Sequence, residues 1–216
     1  MENKKSVSAL YSWKLKDVIL VSMMSVSLGV MYLSADYVVQ FVRPLFDLLG
    51  LGLLAMEAVF GIWFIGNTLA MYIMRKPGIA LVTGILSAAV QLPMGSPWGA
   101  IVIASGLLQG LGAELVFFLF RYKKFNWGSM FLAAAVCAFF SLILDWYLGF
   151  LAEFSLGFLA ARFLVRVASA MLFAGVVSKV LADALAKAGV LKSYPIGAKR
   201  LDDSDPSDTS NLMENS

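Results

Sequence analysis

The sequence predicts an all-α, polytopic membrane protein with six transmembrane helices and both termini in the cytoplasm. Of its 216 residues, 60% are hydrophobic and only 14% are charged, which leaves too little polar surface for a soluble globule. The apolar residues fall into six stretches that reach or approach the roughly 20 helical residues needed to cross a bilayer. Lys and Arg occur mainly at every second connection between these stretches, a pattern that sets orientation in a membrane.

The six spans follow one another with short connections. The first begins at Asp17 after a basic lead, and we expect it to be retained because no clear signal-peptide cleavage site follows it. The second ends where cations and helix-breaking residues coincide, at 75–78, and the short third span ends in the turn-rich segment 93–98. The predicted spans are residues 17–37, 51–74, 79–94, 99–120, 129–150 and 158–185.

The cations divide unevenly between the two sides of the predicted membrane. The outer side receives Arg43, with Arg162 and Arg166 in the outer part of span six. The cytoplasmic side receives Lys4, Lys5, Lys14, Lys16, Arg75, Lys76, Arg121, Lys123, Lys124, Lys179, Lys187, Lys192, Lys199 and Arg200. We therefore predict a plasma-membrane protein with a basic cytoplasmic lead (1–14), a six-helix membrane domain (15–191) and a disordered acidic cytoplasmic tail (192–216).

The composition argues against several classes of function. The chain has no histidine and one cysteine, Cys137, which removes His-dependent nucleophile pairs and the common metal sites. Its cations lie at the ends of spans and do not form one continuous basic face, so nucleic acid is not an expected partner. We predict a protein that is not an enzyme, has no cofactor and has the lipid bilayer as its surroundings.

Polar and aromatic residues inside the spans are the candidates for a ligand site, because ionisable groups in lipid are costly and face protein or water. The topology brings most of them to the outer leaflet, where we expect a cavity open to the outside. Carboxylates, amides and large rings suit a flat heteroaromatic ligand, including a cationic one. The candidate residues are Glu57, Phe60, Trp63, Asn67, Gln91, Trp98, Gln109, Asp145, Tyr147 and Arg166.

Some candidates have a structural alternative. Arg166 either contacts ligand or forms an ion pair with Asp145 or Glu57, and Arg162, one turn away, is assigned to a structural ion pair. Glu114 lies deep in span four, and we predict that it pairs with a cation such as Arg75.

Small residues on span one form a stripe of Ser22, Ser25 and Gly29. The stripe suits either docking of another membrane subunit or packing within the chain, and we assign it to partner docking. Gly106 and Gly110 have the spacing that allows a close helix contact within the chain.

Four motifs in order carry a resemblance to a known family. They are Glu57-x-x-x-Gly61-Ile62-Trp63-Phe64, Arg75-Lys76-Pro77-Gly78, Gln109-Gly110-Leu111-Gly112-Ala113-Glu114, and Arg166 followed by Ser169 and Ala174-Gly175. With this combination, the region from Lys14 to Leu191 resembles the YkoE-type substrate-binding (S) components of energy-coupling factor (ECF) transporters.

The resemblance implies capture of thiamine or its hydroxymethylpyrimidine precursor, and delivery by reorientation against a transmembrane T subunit coupled to two ATPase subunits. The absence of a Gly-x-x-x-x-Gly-Lys-Ser/Thr loop agrees with ATP hydrolysis elsewhere. The Ala-x-x-x-Ala stripe common in span one of related S components is missing, and Ser25-x-x-x-Gly29 is its nearest equivalent.

Thiamine is the expected ligand ahead of its precursor. Its aminopyrimidine suits Glu57, Asn67 or Gln109, and its thiazolium cation suits aromatic faces with a carboxylate such as Asp145. The alternatives are a self-sufficient proton-coupled carrier that uses Glu114 or Asp145, an intramembrane enzyme, and a purely structural subunit.

Overall fold

The regular secondary structure is helical throughout the residues that the structure, a computed structural model, describes: 13–150 and 154–202. The prediction of an all-α fold is confirmed. Within these residues the helices are α1 (Leu15–Asp47), α2 (Gly52–Met74), α3 (Ile79–Gln91), α4 (Ile101–Leu119), α5 (Trp127–Tyr147), α6 (Leu156–Lys187) and α7 (Pro195–Asp202). Five of them (α1, α2, α4, α5 and α6) are long and apolar enough to cross a membrane. The sixth crossing stays a prediction, because the 13 residues of α3 are fewer than the roughly 20 that a spanning helix needs.

The helix boundaries differ most from prediction at α1 and α3. Helix α1 continues to Asp47 instead of ending at Tyr37, because the added residues are mostly apolar and Pro44 comes only in its last turn. Helix α3 ends at Gln91 instead of Met94. A turn follows it, in which Gly95 has a φ of 87°. The Ser96 amide donates to the Gln91 carbonyl at 3.1 Å, so this carbonyl at the end of the helix has a hydrogen-bond partner.

The chain remains helical beyond the domain boundary predicted at residue 191. Helix α7 lies in the segment predicted as a disordered tail, and its Ile196 is buried. Just before it, the Tyr194 hydroxyl donates to the Lys16 carbonyl at 2.9 Å and so ties this segment to the start of α1. Residues 1–12 of the predicted lead, 151–153 of the connection before α6 and 203–216 of the predicted tail lie outside the described residues.

The second half of α2 forms the centre of the bundle. All of its residues from Ile65 to Met74 are buried, and it contacts α1, α3, α4, α5 and α6. Around it α1 packs on α3, α3 on α4, α4 on α5 and α5 on α6, while the first half of α2 closes the ring between α6 and α1. Apart from Asn67 and Thr68 this segment carries few polar groups, and a helix that is apolar on nearly all sides suits the central position.

The middle of α2 is irregular, with a 3-10 turn at Phe60–Phe64. Side chains of neighbouring helices bind two of its amides: the Gly61 N–H donates to Ser169 Oγ at 2.9 Å, and the Gly66 N–H donates to the Tyr32 hydroxyl oxygen at 2.7 Å. A Cβ atom at Gly61 would lie 2.3 Å from the Ser169 carbonyl oxygen. Irregular backbone is thus satisfied inside the protein, as it must be at membrane depth.

Glycines bring α3 close to its neighbours. A Cβ at Gly106 would lie 2.4 Å from the Gly84 carbonyl oxygen, and one at Gly110 would lie 2.8 Å from the Leu81 Cα atom. The predicted close contact at Gly106 and Gly110 is therefore confirmed, with α3 as the partner of α4.

The small-residue stripe on α1 faces mainly inward. A Cβ at Gly29 would lie 2.8 Å from the Ser87 carbonyl oxygen of α3, and Ser25 is buried. Ser25 and Gly29 therefore serve packing within the chain, which corrects their assignment to partner docking. Ser22 is exposed on the outside of the bundle.

The two ends of the bundle differ in charge. The Trp13 indole N–H donates to the Pro77 carbonyl at 3.4 Å, and Lys16 Nζ donates to the Ser193 carbonyl at 2.5 Å. The start of α1 and the segment before α7 are therefore at the same end as the α2–α3 connection. We call this the cationic end; its cations among the described residues are Lys14, Lys16, Arg75, Lys76, Arg121, Lys123, Lys124, Lys179, Lys187 and Lys192.

Replacement of Gly106 by alanine should lower the free energy of unfolding by about 1–3 kcal/mol, the usual cost of overpacking. The added Cβ would meet the backbone oxygen of Gly84, which cannot rotate away. Thermal unfolding of the detergent-purified protein measures the effect. Gly157→Ala is the matched control, since a Cβ at this helical glycine meets nothing within 4 Å; equal unfolding temperatures for the two variants would contradict the close α3–α4 contact.

Candidate functional site

A cavity of about 340 Å³ lies at the end of the bundle opposite the cationic end. Its walls come from the last part of α1, α3 and α5 and the first part of α2, α4 and α6. The volume is within the range of small-molecule sites, about 300–1,000 Å³. The predicted site residues that line it are Glu57, Phe60, Trp63, Gln91, Trp98, Gln109, Asp145 and Arg166.

Two predicted site residues do not line the cavity. The side chain of Tyr147 is 82% exposed on the outside of α5. Asp145 faces the cavity, and Tyr147 comes two residues later on the same helix. Because two residues correspond to a rotation of about 200°, Tyr147 points away from the cavity. Asn67 is buried next to the α3–α4 contact, with its Oδ1 2.6 Å from where a Cβ at Gly84 would lie.

Four charged residues form one buried cluster in the cavity wall. Arg162 Nε donates to Glu57 Oε1 at 2.8 Å, and Arg166 Nη2 donates to the same oxygen at 2.8 Å. Arg166 Nη2 also donates to Asp145 Oδ2 at 2.7 Å, and its Nη1 donates to Ser141 Oγ at 2.7 Å. The two arginines reach the same carboxylate because they are one turn apart on α6. We call Glu57, Asp145, Arg162 and Arg166 the ion cluster.

The ion cluster is electrically balanced, with two carboxylates and two guanidinium groups. Glu57 and Arg166 are each 1% exposed and Arg162 is 6% exposed, so the charges have little contact with water. The mutual pairing offsets the loss of hydration, whereas removal of one member would leave its partners buried and unpaired. Of the two roles left open for Arg166, the structure therefore shows the ion pair, with both of the carboxylates that were considered. Arg162, which was assigned to a structural ion pair, forms its pair with Glu57.

Aromatic rings extend the cavity wall on α2. The Arg166 guanidinium carbon lies 3.9 Å from the centre of the Phe60 ring, a distance at which a cation is attracted to a ring face. Phe60 and Trp63 have ring centres 5.6 Å apart in a tilted arrangement. The 3-10 turn of α2 holds both rings at the cavity.

The amides of α3 and α4 supply hydrogen-bonding groups. Gln109 Nε2 donates to Ser105 Oγ at 2.5 Å, and Gln91 Nε2 donates to the Ser87 carbonyl at 3.3 Å. Gln91 is 3% exposed, and its Oε1 has no hydrogen-bond partner within the described chain. A buried acceptor of this kind can bind a ligand N–H or O–H.

Asp36 on α1 is a cavity residue that the sequence analysis missed. Its carboxylate oxygen Oδ1 accepts a hydrogen bond from Trp98 Nε1 at 2.9 Å, and the residue is 4% exposed. The neighbouring Tyr37 hydroxyl donates to the Gly95 carbonyl at 2.8 Å. These two bonds hold the connection between α3 and α4 against α1. Asp36 was missed because it falls at the predicted end of span one, where a charged residue is ordinary.

Glu114 lies at the cationic end, away from the cavity. Its carboxylate accepts N–H bonds from Gly78 at 2.6 Å and Ala80 at 3.2 Å, and an O–H bond from Tyr122 at 2.7 Å. These bonds tie Glu114 to the start of α3 and to Tyr122, and not to Arg75, the partner predicted for it. The free amides at the start of α3 attract the carboxylate, and Arg75 lies over the ring of Phe125 instead, 4.9 Å from its centre.

Comparisons with known proteins agree with this architecture. A solved structure described as "Crystal structure of an S-component of ECF transporter" matches with a TM-score of 0.83 and 35% identity, over 95% of this chain and 99% of that chain. The fold and its cavity thus define a multi-pass membrane transport protein of the S-component class.

The family follows from two sequence matches. Residues 16–140 match the family described as "ABC-type cobalt transport system, permease component". A protein of Bacillus subtilis (strain 168) named "Putative HMP/thiamine permease protein YkoE" is 37% identical over 186 residues, which is 86% of this chain and 91% of that protein. The chain belongs to the YkoE-like family of membrane transport proteins, as the four sequence motifs indicated.

Replacement of Glu57 by glutamine should lower the free energy of unfolding by about 3–5 kcal/mol, because two buried guanidinium groups would lose a charged partner. Thermal and chemical unfolding in detergent measure the loss. Arg43→Gln is the control, since it breaks a pair with Asp47 in which both side chains are at least 41% exposed, and such pairs contribute at most about 1 kcal/mol. A Glu57→Gln protein as stable as the control would show that the ion cluster does not hold α2 to α6.

Proposed function

We propose that this protein is the substrate-capturing S component of an ECF-type vitamin importer, with thiamine or its hydroxymethylpyrimidine moiety as ligand. The observation that carries the proposal is the cavity, which combines amide, aromatic and acidic groups at one end of an S-component fold. The name of the Bacillus subtilis relative, which includes HMP and thiamine, supports this choice of ligand.

The orientation follows from the charge difference between the two ends. Cationic connections remain on the cytoplasmic side, so the cationic end faces the cytoplasm and the cavity opens to the outside of the plasma membrane. Both termini are then cytoplasmic. Helix α3 forms the sixth crossing, with its N-terminus at the cationic end and its C-terminus at the cavity.

The amides bind the pyrimidine ring in this proposal. Both oxygens of Glu57 already accept hydrogen bonds from the arginines of the ion cluster, so Gln91 and Gln109 are better placed to read the ring nitrogens and the amino group. Phe60 and Trp63 supply faces and edges for the flat ring. This division of roles assigns hydrogen bonding to α3 and α4 and stacking to α2.

The proposed partners are a transmembrane T subunit and two ATPase subunits. The sequence contains no Gly-x-x-x-x-Gly-Lys-Ser/Thr loop to bind ATP, which agrees with ATP binding by separate subunits. Ser22 and the apolar side chains beside it on the outside of α1 are available to lipid or to such a subunit.

Mass spectrometry of small molecules retained by the detergent-purified chain, followed by calorimetry with thiamine and hydroxymethylpyrimidine, tests the ligand. Saturable binding of either compound supports the proposal, and binding of neither contradicts it. Uptake into proteoliposomes tests the transporter class. Uptake should require the T and ATPase subunits with ATP, whereas uptake by the chain alone that an ionophore abolishes would identify a proton-coupled carrier.

Replacement of Gln91 by leucine should weaken ligand binding by about tenfold or more, the value of one well-placed hydrogen bond in a buried site. The substitution keeps the approximate size of the side chain and removes the unpartnered acceptor. Gln40→Leu is the matched control, because Gln40 is exposed on α1 and does not line the cavity. Calorimetric affinities that are the same for both variants would remove Gln91 from the site.

A further inference from the structure

We propose that Asp36 is the residue that binds the positively charged part of the ligand, and that the ion cluster is structural. The inference deepens the proposed function, because it selects an organic cation as the preferred occupant of the cavity. It also reassigns the cation-binding role that the sequence analysis gave to Asp145.

Asp36 is the one charged residue lining the cavity that has no ion-pair partner within the described residues. Among the residues that the structure describes, six charged ones line the cavity: Asp36, Arg43, Glu57, Asp145, Arg162 and Arg166. The last four neutralise one another in the ion cluster. Arg43 pairs with Asp47 at 3.5 Å. Within the described residues, Asp36 forms no ion pair, so the cavity wall carries one uncompensated negative charge.

The carboxylate of Asp36 is incompletely bonded. Its Oδ1 accepts the indole N–H of Trp98, and its Oδ2 is buried without a hydrogen-bond partner in the described part of the chain. A buried carboxylate with an open oxygen is unfavourable until a cation or a donor reaches it. A positively charged ligand group in the cavity that Asp36 lines would supply the counter-charge that this carboxylate lacks.

Aromatic residues next to Asp36 favour the same class of ligand. Trp98 is fixed by its bond to the carboxylate, and Tyr32 lies one turn before Asp36 on α1 and also lines the cavity. Rings around a carboxylate attract a diffuse organic cation such as a thiazolium, by cation–π contact as well as by charge. A small, strongly hydrated metal ion would gain less from them.

The inference separates the two proposed ligands. Thiamine carries a thiazolium cation, whereas hydroxymethylpyrimidine has none. Loss of the Asp36 charge should therefore weaken thiamine binding and leave the binding of the pyrimidine nearly unchanged. A residue that only supported the fold would affect both ligands alike.

Calorimetry of the purified protein with both compounds tests this difference. Asp36→Asn removes the charge and keeps an oxygen that can accept from Trp98, so the variant should fold; its unfolding temperature is measured alongside. We expect thiamine binding to weaken about tenfold or more and pyrimidine binding to change by less than about twofold. Asp183→Asn is the matched control, since Asp183 pairs with Lys179 on α6 and does not line the cavity.

Equal losses for the two compounds, or no loss for thiamine, would overturn the inference. If the wild-type protein binds neither compound, the vitamin assignment fails, and an N-alkylthiazolium salt and the neutral thiazole then serve as probes. Thermal stabilisation by the salt but not by the thiazole, lost in Asp36→Asn, would support the role of Asp36 without the vitamin. Absence of such stabilisation would overturn that role.

Discussion

Glu57 lies between Arg162 and Arg166 in the interior of an apolar bundle, and the rest of the cavity depends on this arrangement. One carboxylate joins the first half of α2 to α6, and Arg166 extends the connection to α5 through Asp145 and Ser141. Charges so deeply buried tolerate few alternative positions, because each needs its partners at hydrogen-bonding distance. The ion cluster therefore fixes the relative positions of three helices whose apolar surfaces alone would permit sliding.

The irregular turn of α2 and the close glycine contacts complete this frame. The 3-10 turn directs Phe60 and Trp63 towards the cavity, and Ser169 and Tyr32 bind the amides that the turn releases. On the other side, Gly84 and Gly106 let α3 approach α4 closely. A short α3 thereby remains part of the bundle and brings Gln91 to the site.

Much of this architecture could be predicted from the sequence, but the rotation of each helix could not. The length of the apolar stretches and the cations between them located the helices. Because charged residues are rare inside such stretches, Glu57, Asp145 and Arg166 stood out as candidates. Tyr147 was misplaced because α5 is apolar on nearly every side, so its pattern does not reveal which face is inside. Asp36 was missed because a charged residue is ordinary at the predicted end of span one, and the sequence does not show its contact with Trp98, a residue distant along the chain.

The two bonds between α1 and the α3–α4 connection have a mechanical consequence. Asp36 accepts a hydrogen bond from Trp98, and Tyr37 donates one to the Gly95 carbonyl. A rigid-body displacement of α1 would therefore either break these two bonds or move the α3–α4 connection, which borders the cavity, together with α1. Either outcome would change the shape of the cavity wall, so the two bonds couple the position of α1 to the shape of the cavity.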